Sequence, residues 1–341
     1  MDFYLHTFKT SLDIRFSSNN QYHIDVALVP HLHTHPNRIY DASQTNRHIL
    51  GVIPNAIEEK NRDSVLKNIT TWLTSLKEWK NHSNKFLIFA PGTSHVHLLG
   101  DVFCNILQNH PNLSIVDIDP WMKGLKSNHK FLSLYDKVLI VPYVIRDELF
   151  MHEEKHDRNI TSMFHGDTGR YDGGKRGAVR DILKYVPFSD YRSTYTLRNN
   201  NDSFIVAHHQ TLLSMKMSQT CLCPSGDTPT TRRLYESLAS GCVPIRIDNI
   251  PDHKLPFNKL INWSNVTFKL NPSLMSLQQR HAEPSSLEIM THRNHEATFV
   301  FNISSSEKLV DIRRKGMYVA NKYMNPRRPH DFINAILLHW N

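Results

Sequence analysis

No run of about 20 consecutive apolar residues occurs in this 341-residue chain, so it holds no candidate transmembrane helix. Met1-Asp2-Phe3-Tyr4 lacks the charged-then-apolar order of a secretory signal. Cysteine is scarce, and four at this length do not define a disulfide framework. Cys221 and Cys223 stand too close together to bond each other. Cys242 can approach one of them, but buried thiols are the expectation. There is no recognition-helix, zinc-finger or RNA-binding signature, and the basic residues are spread rather than clustered, which argues against nucleic acid as a partner. The 22 histidines include no H-E-x-x-H arrangement. No internal repeat and no low-complexity segment is present.

What remains is an ordinary globular composition, 40% hydrophobic and 21% charged. The length allows two domains, each with its own core. A net charge of +8 favours acidic partners: nucleotide diphosphates, acidic glycans or a membrane surface.

The most informative stretch is Met217–Ile247, which reads as strand, tight loop, helix, glycine stop and strand. Pro224-Ser225-Gly226-Asp227 forces a turn, because proline fixes φ and glycine permits positive φ. Thr228, Thr230 or Thr231 can cap the next helix, with Pro229 near its first turn. Leu234, Tyr235 and Leu238 give that helix an apolar face, and Gly241 ends it. Cys242–Ile247 forms the second strand. A helix N-terminus at the carboxyl end of a strand suits an anion, and Arg232 and Arg233 lie in the first helical turn, where a diphosphate would sit.

The run from Pro224 to Ile245 resembles the signature of exostosin-like glycosyltransferases, most closely the plant branch with its GDTP-(S/T)(S/T)-x-R-L-(F/Y) pattern. Asp248 and Leu255-Pro256-Phe257 match the family's usual continuation. In the N-terminal half, residues 22–30 read as a mostly apolar strand similar to one in the family. Lys85–Ala90 reads as a buried strand leading to a loop at Pro91–His95, and Lys137–Val141 as a strand ending at Pro142-Tyr143. Residues 62–80 have helical spacing of Val65, Leu66, Ile69, Trp72, Leu73, Leu76 and Trp79. Val102–Leu107 suggests a helix and Leu113–Ile118 a strand. A charged stretch, Arg146–Arg158, reads as the linker, and Ile160–Phe164 begins the second half.

A second chemical loop, His165–Gly177, follows a strand and precedes a helix at Ala178–Leu183. Phe164-His165-Gly166 fills the place of the family's Phe-x-Gly loop, with histidine where arginine is common; Arg170, Lys175 and Arg176 supply positive charge nearby. The same loop carries a rival reading. Gly169 to Lys175 satisfies the G-x-x-x-x-G-K of a P-loop, but Arg176 stands where Ser or Thr holds magnesium, which phosphoryl transfer requires.

Other patterns are weaker. His31, His33 and His35 would share one face of a continued strand and suit zinc, but Pro30 and Pro36 bracket them, so a loop is expected. Asp117 and Asp119 form a D-x-D at a strand end. Eight N-x-S/T sequons, at Asn68, Asn81, Asn112, Asn159, Asn201, Asn262, Asn265 and Asn302, fit a lumenal protein.

The resemblance implies a GT-B architecture: an α/β protein of two Rossmann-like domains facing across a cleft. Residues 1–150 would form the acceptor side and 158–325 the nucleotide-sugar side. A helix at 329–340 would pack back on the N-terminal domain. It implies inverting transfer from a UDP-sugar to a glycan or polysaccharide acceptor, with no cofactor required and no essential divalent metal. Arg233 would bind the diphosphate, with Arg232, Lys175 and Arg170 as weaker candidates. Glu236 would accept hydrogen bonds from the ribose, or else pair with Arg232 or Arg233 on the helix surface. Gly166, Gly226, Asp227, Thr228 and Thr230 would line the donor pocket. His95 and Asp101 are candidates for the base that takes the acceptor proton. The family implies a Golgi lumenal location behind an N-terminal anchor, so the expectation is a catalytic region that has lost its anchor. A hetero-oligomer with another glycosyltransferase, in which this chain is a non-catalytic partner subunit, is the alternative.

Overall fold

The computed structural model describes residues 1–7, 24–51, 62–89, 104–118, 137–143, 145, 147–150, 157–166, 175–193, 201–225, 230–248, 250–270 and 286–340. They divide into two compact units. Unit 1 comprises Met1–Ile145, His253–Ile261 and Tyr323–Asn341; unit 2 comprises Arg146–Asp252 and Asn262–Lys322. A strictly sequential division does not anticipate that His253–Ile261 belongs to unit 1.

In unit 1 six parallel strands lie in the order β2-β1-β3-β4-β5-β6. They are β1 (Phe3–Thr7), β2 (Arg38–Ile39), β3 (Arg47–Gly51), β4 (Lys85–Phe89), β5 (Leu113–Asp117) and β6 (Val138–Ile140). Near-continuous apolar runs such as Phe86–Phe89 fit strands buried on both faces. One face packs on α2 (Arg62–Ser75), α3 (Lys77–Lys80) and α4 (residues 104–109). Leu66, Ile69, Leu73, Trp79, Cys104 and Leu107 meet Leu50, Phe86, Ile88, Leu113 and Ile115 there.

The segment read as a strand over 22–30 is instead α1 (Ile24–Leu32), with Pro30 in its last turn. Val-Ala-Leu-Val has no period-2 alternation, and a short continuous apolar run does not distinguish a buried strand from a buried helix. Leu28, Val29 and Leu32 are buried, and α1 packs against α10 (Pro329–Trp340). Phe257 belongs to the same unit, with its ring edge-on to those of Phe332 and His339.

Unit 2 holds five parallel strands in the order β11-β10-β9-β7-β8. These are β7 (Ile160–Gly166), β8 (Asp190–Ser193), β9 (Ser218–Pro224), β10 (Val243–Ile247) and β11 (Phe268–Leu270). The helices are α5 (Lys175–Leu183), α6 (Asn201–Met217), α7 (Arg232–Ser240), α8 (Ser286–Ser304) and α9 (Lys308–Tyr323). Phe164, Leu222, Val243, Ile245 and Ile247 pack on Val179, Ile182, Ala297, Val300 and Leu309. Each unit is thus an α/β unit built on one parallel sheet.

The cysteines depart from expectation. Cys221 and Cys242 form a disulfide across 21 residues of chain, while Cys104 and Cys223 are buried thiols. The adjacency of β9 and β10 makes the pairing possible: they are neighbouring parallel strands, and the Cα atoms of Cys221 on β9 and of Cys242 just before β10 lie 5.8 Å apart. Parallel register across a helical crossover is not visible in linear spacing.

Candidate active site

Chain order and sheet order diverge around β7. From β7 the chain goes to β8 on one side, then returns through α6 to β9 on the other. Carboxyl ends flanking such a switch point form the usual ligand crevice of an open parallel sheet. Here those ends are Gly166 on β7 and Pro224 on β9. Both chemical loops found in the sequence leave the sheet at this edge.

Helix α7 returns from the second loop. Thr231 is its N-cap by backbone conformation, with no side-chain capping bond, and Arg232 and Arg233 open its first turn. Gly241 ends it at φ 71°, a left-handed conformation that favours glycine. Its last carbonyls are held by arginines: Arg158 donates to Ser240 O at 2.7 Å and Arg313 to Gly241 O at 2.9 Å. Residues Leu234 to Ser240 are all buried. The helix that presents the arginines is therefore fixed at its far end and along its length.

The adjacent arginines do different things. Arg232 forms an ion pair with Glu236, Nε to Oε1 at 2.7 Å, one turn along. Arg233 extends to β7, where its guanidinium carbon lies 4.5 Å from the Phe164 ring centroid. Glu236 is buried at 6% exposure, so the surface version of this ion pair is replaced by a largely desolvated one. Thr230 is also buried, against the hydroxyl of Tyr235, whose pKa burial pushes up.

On the other face of β7, His165 is anchored by α6 and β8. Its Nε2 lies 2.9 Å from Asp190 Oδ2, and its Nδ1 lies 3.1 Å from Thr211 Oγ1. Ser214 donates to the same Asp190 oxygen at 2.7 Å. Burial lowers the His165 pKa against the opposing pull of Asp190, while the hydrogen bond from His165 holds the Asp190 carboxyl low. His165 thus anchors the strand end from the face opposite Phe164. No motif in the sequence marks Asp190 or Phe164 as partners of this edge; period-2 alternation through Phe164-His165-Gly166 is the signal that sends Phe164 and His165 to opposite faces.

Of the predicted site residues, Gly166 and Arg233 come together, with Glu236 on Arg232 beside them. Lys175 opens α5. Arg170, Gly226, Asp227, Thr228, His95 and Asp101 lie outside the described residues, as do Gly169–Gly174 of the P-loop reading. Asp117 is buried, its Oδ1 accepting from the Ile118 amide at 2.6 Å. His33 lies beside Arg38, whereas His31 and His35 both neighbour His330. Among the described residues no cluster of three His, Cys, Asp or Glu is arranged to hold a metal.

The Exostosin GT47 domain matches residues 4–277, and the chain belongs to that family. It is 36% identical over 205 residues to a "Probable arabinosyltransferase ARAD1" of Arabidopsis thaliana, covering 59% of this chain and 41% of that one. It is 30% identical over 271 residues to a "Probable glucuronoxylan glucuronosyltransferase" of the same plant, covering 71% and 55%. A "Probable glucuronosyltransferase 47 A" of Physcomitrium patens is 24% identical over 221 residues, covering 62% and 43%. The chain therefore spans about two fifths to just over half the length of these relatives. Among solved structures, the pneumococcal O-GlcNAc transferase GtfA with UDP and GlcNAc has 10% identity and a TM-score of 0.43, covering 86% of this chain and 56% of that one.

Proposed function

We propose that this chain is the catalytic part of an inverting glycosyltransferase that moves a sugar from a UDP-sugar to a glycan or polysaccharide acceptor. The observation that carries the reading is the position of Arg233. It stands in the first turn of α7 and reaches the carboxyl end of β7, at the switch point of the unit 2 sheet. Cleavage at the anomeric carbon leaves charge on the UDP diphosphate, and a fixed guanidinium with a helix N-terminus stabilises that charge as it develops. Unit 2 is then the donor side and unit 1 the acceptor side, with the acceptor's proton passing to a base. Arg233 and the backbone amides of α7 carry the diphosphate without a required cofactor or essential divalent metal. The donors to screen first are UDP-activated pentoses and glucuronic acid, following the names of the relatives.

The proposal places the protein in an oxidising, glycosylating lumen such as the Golgi. The Cys221–Cys242 disulfide supports this. So does the exposure of the sequon asparagines Asn68, Asn81, Asn112, Asn159, Asn262, Asn265 and Asn302. Pairing with a second glycosyltransferase subunit belongs to the same proposal.

The test is a thermal-shift titration with UDP, GDP and ATP, with and without Mg²⁺, on the wild type and Arg233→Ala. A ligand bound only by the native state raises the midpoint by mass action. Stabilisation by UDP in the absence of metal, lost in Arg233→Ala, is the expected result. Stabilisation by Mg-ATP alone overturns the proposal in favour of a P-loop enzyme.

A further inference from the structure

Phe164 is fully buried and belongs to the core cluster with residues of α5 and α8. Arg233 comes from the other layer: Ser237, one turn along α7, contacts Cys223, whose neighbour Leu222 faces the Phe164 cluster. The Arg233 side chain therefore crosses the carboxyl edge of the sheet to reach the ring, 4.5 Å from its centroid.

Gly166 completes the arrangement. A Cβ at this position would lie 2.8 Å from Phe164 Cζ and 3.0 Å from an Arg233 guanidinium nitrogen. The first is closer than real Cβ atoms come and the second is tight, so a side chain at 166 would displace the Phe164 ring and push on the guanidinium. On the opposite face of the strand, the His165 contacts to Asp190 and Thr211 fix the backbone that carries both residues.

We propose that Phe164 and Gly166 are positioning residues for Arg233, an inference that rests on the donor-site reading above. The ring is a platform under the guanidinium, and the absent side chain at 166 is the space in which it lies. Guanidinium donors all point within its plane, so a ring on its face takes up none of them while restricting its orientation. An arginine already ordered in this way loses less freedom when a diphosphate binds. Phe164 and Gly166 thus set donor affinity without touching the donor through a polar group.

A double-mutant cycle tests this, with UDP as the probe and the whole chain as the protein. Phe164→Leu should raise the UDP dissociation constant about five- to tenfold, in keeping with a partly desolvated cation–π contact. Gly166→Ala should raise it at least as much. Neither change should have a further effect beyond about twofold once Arg233 is alanine, because both act through that side chain. General damage to unit 2 would instead lower affinity by the same factor in both backgrounds, and that result overturns the proposal. If Phe164→Leu does not fold, Gly166→Ala at the strand end carries the cycle. A wild type that does not bind UDP overturns the donor-site reading itself. A wild type that binds UDP through Arg233 but is unaffected by Phe164→Leu and Gly166→Ala overturns only the cradle.

Discussion

Arg232 and Glu236 are joined through Nε and Oε1 at 2.7 Å, on side chains only 15% and 8% exposed. Two adjacent arginines in one helical turn therefore have different tasks, one holding α7 and the other reaching its neighbouring strand. Removing Arg232 strands a buried carboxylate, so Arg232→Ala should destabilise the protein by about 1–3 kcal/mol. Arg233→Ala should leave the denaturation midpoint nearly unchanged but weaken UDP binding at least tenfold, the loss of a charge-assisted contact. Urea unfolding beside UDP titration of the two variants separates these outcomes. A larger binding loss in Arg232→Ala would reverse the assignment.

Arg246 and Asp248 form a second buried pair, with Nε to Oδ2 at 3.0 Å and Nη2 to Oδ1 at 2.9 Å. Asp248 also accepts the Ile250 amide at 2.9 Å, while Arg246 donates to the Ile250 carbonyl at 3.0 Å, fixing the turn after β10. Asp252 holds the remaining guanidinium nitrogen at 2.7 Å. Asp248→Ala leaves a buried arginine with one partly exposed carboxylate and should cost about 3 kcal/mol. Denaturant melts measure this directly, and a loss under 1 kcal/mol would show that Asp252 suffices.

Much of this was legible locally. The strand–loop–helix–strand around Pro224 follows from proline, glycine and helical spacing, and Gly241 at φ 71° is the stop that its sequence position suggests. The final helix begins at Pro329, as proline in a first turn predicts. What could not be read depends on register or on three-dimensional neighbours. The α1 segment lacks a distinguishing period. The Cys221–Cys242 bond requires knowing that β9 and β10 are adjacent and parallel. The partners of the Phe164-His165-Gly166 strand end come from α7, α6 and β8, which lie 25 to nearly 70 residues away.

Three histidines of unit 1 should make it acid-sensitive. Burial lowers the pKa of His6, with help from His48, to about 4. Burial and His82 bring His110 to about 4, and burial and Lys259 do the same for His339. In the unfolded chain each takes a proton near pH 6.5, whereas in the fold each stays neutral until about pH 4. Their contribution is therefore fully present above pH 6.5 and is lost as pH falls from 6.5 towards 4. By pH 5 the loss is of order 1–2 kcal/mol per histidine, enough to lower the melting temperature by roughly 10 °C. Circular-dichroism melts between pH 7.5 and 5 check this. His6→Asn should flatten the slope, and a pH-independent midpoint would refute the assignment.

The cysteines make a prediction about chemistry and compartment together. Cys104 and Cys223 are buried, and burial pushes the Cys223 thiol up to about 12, far from the thiolate that reagents attack. The native oxidised protein should therefore show no rapidly reacting thiol. Denaturation without reductant should expose two, and denaturation with reductant all four. Closing a loop of 21 residues removes entropy chiefly from the unfolded chain, so reduction, or Cys221→Ala with Cys242→Ala, should destabilise by about 3 kcal/mol. Because the bridge joins β9 to the start of β10, on either side of α7, the loss should appear as unfolding of unit 2 and weaker UDP binding at elevated temperature. Four reactive thiols after denaturation without reductant, in protein prepared from an oxidising compartment, would show that the bridge does not form.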